Sequence, residues 1–212
     1  MAALSALQKR FGDRFPLAEL EAHFRALHAG EYKDCVIAGL SLFSVQEALK
    51  QTDDFKSFHP LFQAEELLQL LILGTNNQSD YYCYAFGFPC PGGIVFLSHD
   101  DTTQIVFPNL RDLIAAACQA NQFLNSWHQP GVYLSPNQAL LTERIRQGYE
   151  AGLEEPILLL LRSSDLSDTP LMINIAEDRN FYFGEAIAEQ IIAQPKPEML
   201  PIATACAKHS HP

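Results

Sequence analysis

Cys90 and His99 are the two residues whose types best suit covalent chemistry. They lie nine apart in "SDYYCYAFGFPCPGGIVFLSHDD", residues 79–101, with Asp100 next to the histidine. A cysteine nucleophile needs a thiolate, held by an adjacent base or by a helix N-terminus. Cys90 sits instead between Pro89 and Pro91 and leads into an apolar run, so no helix dipole is supplied locally. The preferred reading is pleated scaffold without a reaction centre. A small-molecule site or Cys/His hydrolase at Cys90 and His99 is the alternative. His99, Asp100 and Asp101 could also ligate a divalent ion, but Asp favours turns for local hydrogen-bonding reasons, and a turn is the simpler reading. No metal and no cofactor is expected.

Other chemical signatures are missing. The chain has no G-x-G-x-x-G, no phosphate-loop motif, no G-x-S-x-G elbow and no H-E-x-x-H. Its cysteines are Cys35, Cys83, Cys90, Cys118 and Cys206. The count is odd and no pair has C-x-x-C spacing, which argues against zinc and disulfide frameworks and for reduced thiols in a cytoplasm. His23 and His28 are five apart, off the spacing of a helical metal pair, and read as surface or boundary residues.

The elements that must position these residues follow from apolar spacing. Leu17, Leu20, Phe24 and Leu27 mark a helix after Phe15-Pro16, with Pro16 at its start and Gly30 at its stop. "DCVIAGLSLFS" reads as extended, turning at Gly39. "SVQEALKQT" is a short helix with a Ser44/Glu47 capping box. "DDFKSFHPLFQ" reads as a loop plugged by Phe55, Phe58 and Phe62. Leu67 to Leu73, Tyr81 to Phe86, "IVFLSHDD" and "TTQIVFP" form an antiparallel meander, with Tyr82, Tyr84 and Phe86 on one face and Tyr81, Cys83 and Ala85 on the other. Asn109 caps a helix striped by Leu110, Leu113, Ile114 and Ala117, with Cys118 read as core. Ser135-Pro136 starts a further helix. "EEPILLLLRSSDLSDTP" is ambiguous between strand and helix, "LMINIAEDRNFYFGEAIAEQII" reads as strand, turn, helix, and the Pro-rich end reads as irregular.

The whole chain is acidic. Its 212 residues carry a net charge of −11, with −6 before residue 131 and −5 after it. Such a field disfavours nucleic acid and anionic lipid and suits a basic partner. The longest run of leucine and isoleucine, Ile157 to Leu161, is far short of a membrane span, and the apolar stretch at the start is too short for a signal peptide.

The succession of a helix after "FP", then "LLQLLILGTNNQSDYYCYAFG", "GGIVFLSHDD" and "TTQIVFPNLRDLIAAACQAN", resembles the SUKH superfamily of bacterial immunity proteins and fungal cell-wall regulators. The family's features fall on Phe15-Pro16, on Gly74 to Tyr82, on His99-Asp100 and on Asn109 to Ala117. The resemblance implies an α+β domain over residues 1–128, a twisted and mainly antiparallel sheet with helices packed against it. Residues 129–212 are expected to be a C-terminal α/β extension on the same core. It also implies a non-catalytic protein-binding module that could neutralise a basic toxin domain through an acidic face. Exposed acids and aromatics near the turns, Asp80, Tyr81, Asp100 and Asp101, are the expected partner-binding residues.

Overall fold

The computed structural model describes residues 2–12, 14–32, 39–76, 79–99, 102–119 and 133–208. The chain divides into two compact units, residues 1–87 with 91–131, and residues 88–90 with 132–212. The first is α+β.

In that unit, α1 (Ala2–Phe11) and α2 (Ala18–Ala29) precede a two-residue strand β1 (Ser41–Leu42) and the helices α3 (Val45–Lys56) and α4 (Pro60–Gln63). Strands β2 (Leu70–Thr75), β3 (Tyr81–Ala85), β4 (Ile94–Leu97) and β5 (Gln104–Phe107) follow, then α5 (Leu110–Gln119). The sheet order is β1-β2-β3-β4-β5, and every neighbouring pair is antiparallel. This is the meander that the succession of short apolar strands and turns indicates.

Tyr82, Tyr84 and Phe86 share a core with Leu71, Leu73, Ile94 and Phe96, under Leu7, Phe11, Leu20 and Phe24 from α1 and α2. Cys83, Val95, Leu97 and Ile105 on the opposite face are buried as well. A sheet covered on both sides explains why its strands read as nearly continuous apolar runs. The β2–β3 register slips at Leu73, between the Ile72–Cys83 and Gly74–Tyr82 pairs. Gly74 lies hard against β1: a Cβ there would stand 2.4 Å from the Ser41 carbonyl oxygen.

The helix ends follow local chemistry. Ser44 and Glu47 form the reciprocal capping box of α3. Gly30 takes a left-handed conformation, φ 76°, and closes α2 with backbone bonds to Ala26 and Leu27. Asn109 accepts the Asp112 N–H at 2.9 Å at the start of α5. Several expectations need correction. Helix α2 begins at Ala18, after Pro16. Asp53 to Lys56 continue α3, and Pro60 opens α4, so "DDFKSFHPLFQ" is mostly helix. Strand β2 starts at Leu70 because Leu67 lies in a turn that bonds back to Ala64. Cys118 is exposed, and Ala117 takes the buried place on α5.

The second unit is helical, not α/β. It contains α6 (Gln138–Glu150), α7 (Glu154–Leu161), α8 (Thr169–Ala176), α9 (Phe181–Ala193), a 3-10 turn (Pro197–Met199) and α10 (Leu200–Lys208). Helix α6 is capped by Asn137, not by Ser135. Helix α8 packs on α9 and α10, and α7 on α6 and α9. A helix surrounded by others is apolar on most sides, so "PILLLL" and "LMINIA" lose the one-sided stripe that separates helix from buried strand. Pro156, Pro170, Pro197 and Pro201 each fall near the start of their helical segment, where the missing N–H is harmless. A Pro-rich end is therefore helical here.

Candidate functional site

The reactive pair comes first. Burial pushes the Cys90 thiol up from its ordinary range, the opposite of an activated nucleophile. Burial does the same to Cys83 inside the sheet. Burial, reinforced by Asp80, raises Tyr82. Burial together with Glu19, which accepts the Tyr84 hydroxyl at 3.1 Å, raises Tyr84. These phenols stay protonated. Among the described residues no group of three His, Cys, Asp or Glu side chains could hold a metal.

Asp80 is not an exposed acid; it is only 7% accessible. Its carboxylate accepts the His99 backbone N–H at 3.0 Å, the Ser98 hydroxyl at 3.4 Å and the Asn76 amide at 2.8 Å. Asn76 in turn accepts the Asp80 N–H at 2.9 Å, and the Asp80 carbonyl takes the Thr75 hydroxyl at 2.7 Å. Asp80 thus ties the β2–β3 turn to the end of β4, because a buried carboxylate must be satisfied by donors. A four-residue spacing from Asn76 to Asp80 suits such a turn, but the bonds to Ser98 and His99 join distant segments. Asp100 and Asp101 lie outside the described residues.

Tyr81 belongs to a different environment. It is half-buried at the start of β3, and its ring stands edge-on to Phe55 at 4.8 Å. Phe55 also meets Phe58 at 5.0 Å, His59 at 5.6 Å and Phe62 at 5.4 Å. Local sequence explains the grouping. Phe55 rides the last turn of α3, Ser57 closes that helix, and His59 Nδ1 accepts the Leu61 N–H to start α4. Phe62 is buried, while Phe58 stays 62% exposed.

Residues 53–66, which supply four of these five rings, hold Asp53, Asp54, Glu65 and Glu66 against Lys56. Lys56 is paired with Glu65, and Arg10 holds Asp53 at 2.8 Å. The result is a ring cluster on a segment of net negative charge, fit to receive a cationic or aromatic side chain by ring–cation and edge-to-face contact. The sequence shows the aromatics but not which of them stays outside. The His59-Pro60 step, a cap followed by a proline at the first helical position, is the signal that could have exposed the turn.

Two cavities of the first unit are formed without Cys90 or His99. A groove of about 1150 Å³ lies between α1, α2 and the start of α3 and includes Leu4, Phe24, Leu27, Arg25 and Glu47 in its walls. A small one of about 120 Å³ lies beside α1 and the end of α3. No helix of the described residues is long and apolar enough to cross a membrane.

Fold and site together define an α+β protein whose candidate site is a surface ring cluster. Comparison with family models, with curated proteins and with solved structures finds no match.

Proposed function

We propose that this chain is a non-catalytic protein-binding module that captures a basic partner, with a toxin domain, as the SUKH resemblance implies, the first to test. The observation that carries this reading is the exposed Phe58 ring, braced by Phe55 beside Tyr81, in a chain of net charge −11. An apolar ring held in water is an unused anchor. One already fixed by neighbours loses little freedom when a partner covers it. Acidic surroundings draw a basic surface from a distance and select against acidic ones. The free cysteines Cys83, Cys90, Cys118 and Cys206 suit a reducing compartment such as the cytoplasm.

The test is affinity capture from the native host, with the wild-type chain and Phe58→Ala as baits, at low and high salt. A basic protein retained by wild type, lost by Phe58→Ala and weakened by salt is the expected result. Retention that ignores both the substitution and the salt would sink the proposal. A toxin reading frame adjacent to the gene would supply the partner for direct titration.

A further inference from the structure

His23 is an imidazole shut inside the protein with nothing to bond. It lies on the inner side of α2, 3% exposed, and among the described residues neither ring nitrogen has a hydrogen-bond partner. A neutral imidazole carries one donor and one acceptor, and burying both unpaired is a cost that an apolar residue would avoid. Packing alone keeps it inside. Phe24 meets the ring edge-on at 5.1 Å, and Tyr32 stacks on it at 5.3 Å with 24° between the planes. Gly30 makes the stack possible. Its left-handed φ of 76° ends α2, with the Gly30 N–H donating to the Leu27 carbonyl and the Glu31 N–H to that of Ala26. The chain turns back there, and Tyr32, itself partly exposed, covers the imidazole.

The charged groups around it are engaged elsewhere. On α2, Glu19 accepts the Tyr84 hydroxyl, Glu21 holds Arg25 at 2.9 Å and His28 is exposed. The sheet face that shares a core with Leu20 and Phe24 offers the Tyr82 and Tyr84 phenols, which stay protonated. From α1 comes Arg10, which holds Asp53, and from α3 comes Glu47, bound into its capping box. Burial is accordingly the one cause that lowers the His23 pKa, from 6.5 to about 4. An imidazolium in this place would be a buried cation without a counter-charge, so the ring must reach water to take up a proton. We propose that His23 and Tyr32 form an acid-opened latch: protonation drives the imidazole out from under Tyr32 and lets the end of α2 unwind from the core while the sheet stays folded. Phe24 and Leu27, on that part of α2, are walls of the large groove between α1, α2 and α3, so the latch makes the groove acid-sensitive.

The opened latch, titrating at the ordinary 6.5, takes up its proton before the closed one. Closure is therefore favoured in full above about pH 6.5 and loses its advantage as pH falls toward 4. Between pH 7 and pH 5 the opening constant should rise about twentyfold, so mild acid is enough to work the device.

Native-state hydrogen exchange of the full chain, read as protection factors at about pH 7 and pH 5 in low urea, tests the latch. The Leu27 amide should be less protected than that of Cys83, in β3, at both pH values. Its protection should hold as urea rises through the low range, the mark of a local opening, and should drop about twentyfold on acidification. In His23→Phe, which fills the same place without a proton, that drop should vanish. Tyr32→Ala lifts the cover, so the His23 titration followed by imidazole proton resonances should move from about 4 toward 6.5. Tyr32 lies beyond the end of α2 and is partly exposed, so this variant keeps the test decisive if His23→Phe fails to fold by circular dichroism. Leu27 protection that is unchanged at pH 5, or that shares the urea dependence of Cys83, would overturn the proposal. So would an acid-induced drop retained in His23→Phe, or a His23 titration unmoved by Tyr32→Ala.

Discussion

His23 lies on the buried side of α2, 3% exposed, stacked on Tyr32 at 5.3 Å and edge-on to Phe24 at 5.1 Å. Neither ring nitrogen has a hydrogen-bond partner among the described residues. Its spacing from Leu20 and Leu27 puts it on the apolar stripe, which corrects the surface reading of this residue. Burial lowers its pKa from 6.5 to about 4. The unfolded chain thus takes up a proton before the folded one does. The native state keeps its full advantage above about pH 6.5 and loses it as pH falls toward 4, by about 3 kcal/mol in all. Urea unfolding of His23→Phe should show that slope removed between these values. A variant that tracks wild type there would refute the account. Asp80 acts through its three acceptor contacts. Asp80→Ala is expected to lower stability by about 2–3 kcal/mol in chemical denaturation, whereas exposed Phe58→Ala should change it by less than about 1 kcal/mol and act on partner capture instead.

Two local devices decide whether the elements hold. Thr52, fully buried on α3, donates to the Ala48 carbonyl at 2.7 Å and accepts the Ile72 N–H at 3.0 Å. A helix side chain thereby satisfies a backbone donor of β2. Thr52→Val keeps the shape and orphans that N–H, at about 1–3 kcal/mol, and hydrogen exchange at Ile72 should quicken. Gly74→Ala should be worse tolerated than an alanine elsewhere in the sheet, because its Cβ would drive into the β1 backbone; thermal unfolding compared with Gln104→Ala, in β5, reads the difference. Capping boxes, left-handed glycines and β-strand alternation act over four or five residues, which is why α3, the end of α2 and the central strands were legible. The helices of the second unit were not, since apolar residues on most sides erase the period.

At the scale of the molecule, the charge of −11 is shared by both halves of the chain, so its field is broad and not a local spike. Association with a basic partner should slow as salt rises past the point where the screening length falls below about 10 Å, while dissociation changes little. Stopped-flow association rates over a salt series check this, and a flat series would remove electrostatic steering from the proposed function. The division into an α+β unit and a helical unit puts the ring cluster, the Asp80 turn and the small cavity all in the first.

The amino-acid order determined the class of the first unit, the antiparallel meander and the position of most caps, because each depends on neighbours within one turn or one strand. Only the tertiary structure decided that Asp80 is an interior brace and Phe58 an outer ring. It also placed His23 among buried rings and gathered Arg14, Lys56 and Gln69 around one cavity. Those outcomes depend on which distant segments exclude water from a given side chain, and residue spacing along a chain carries no record of that.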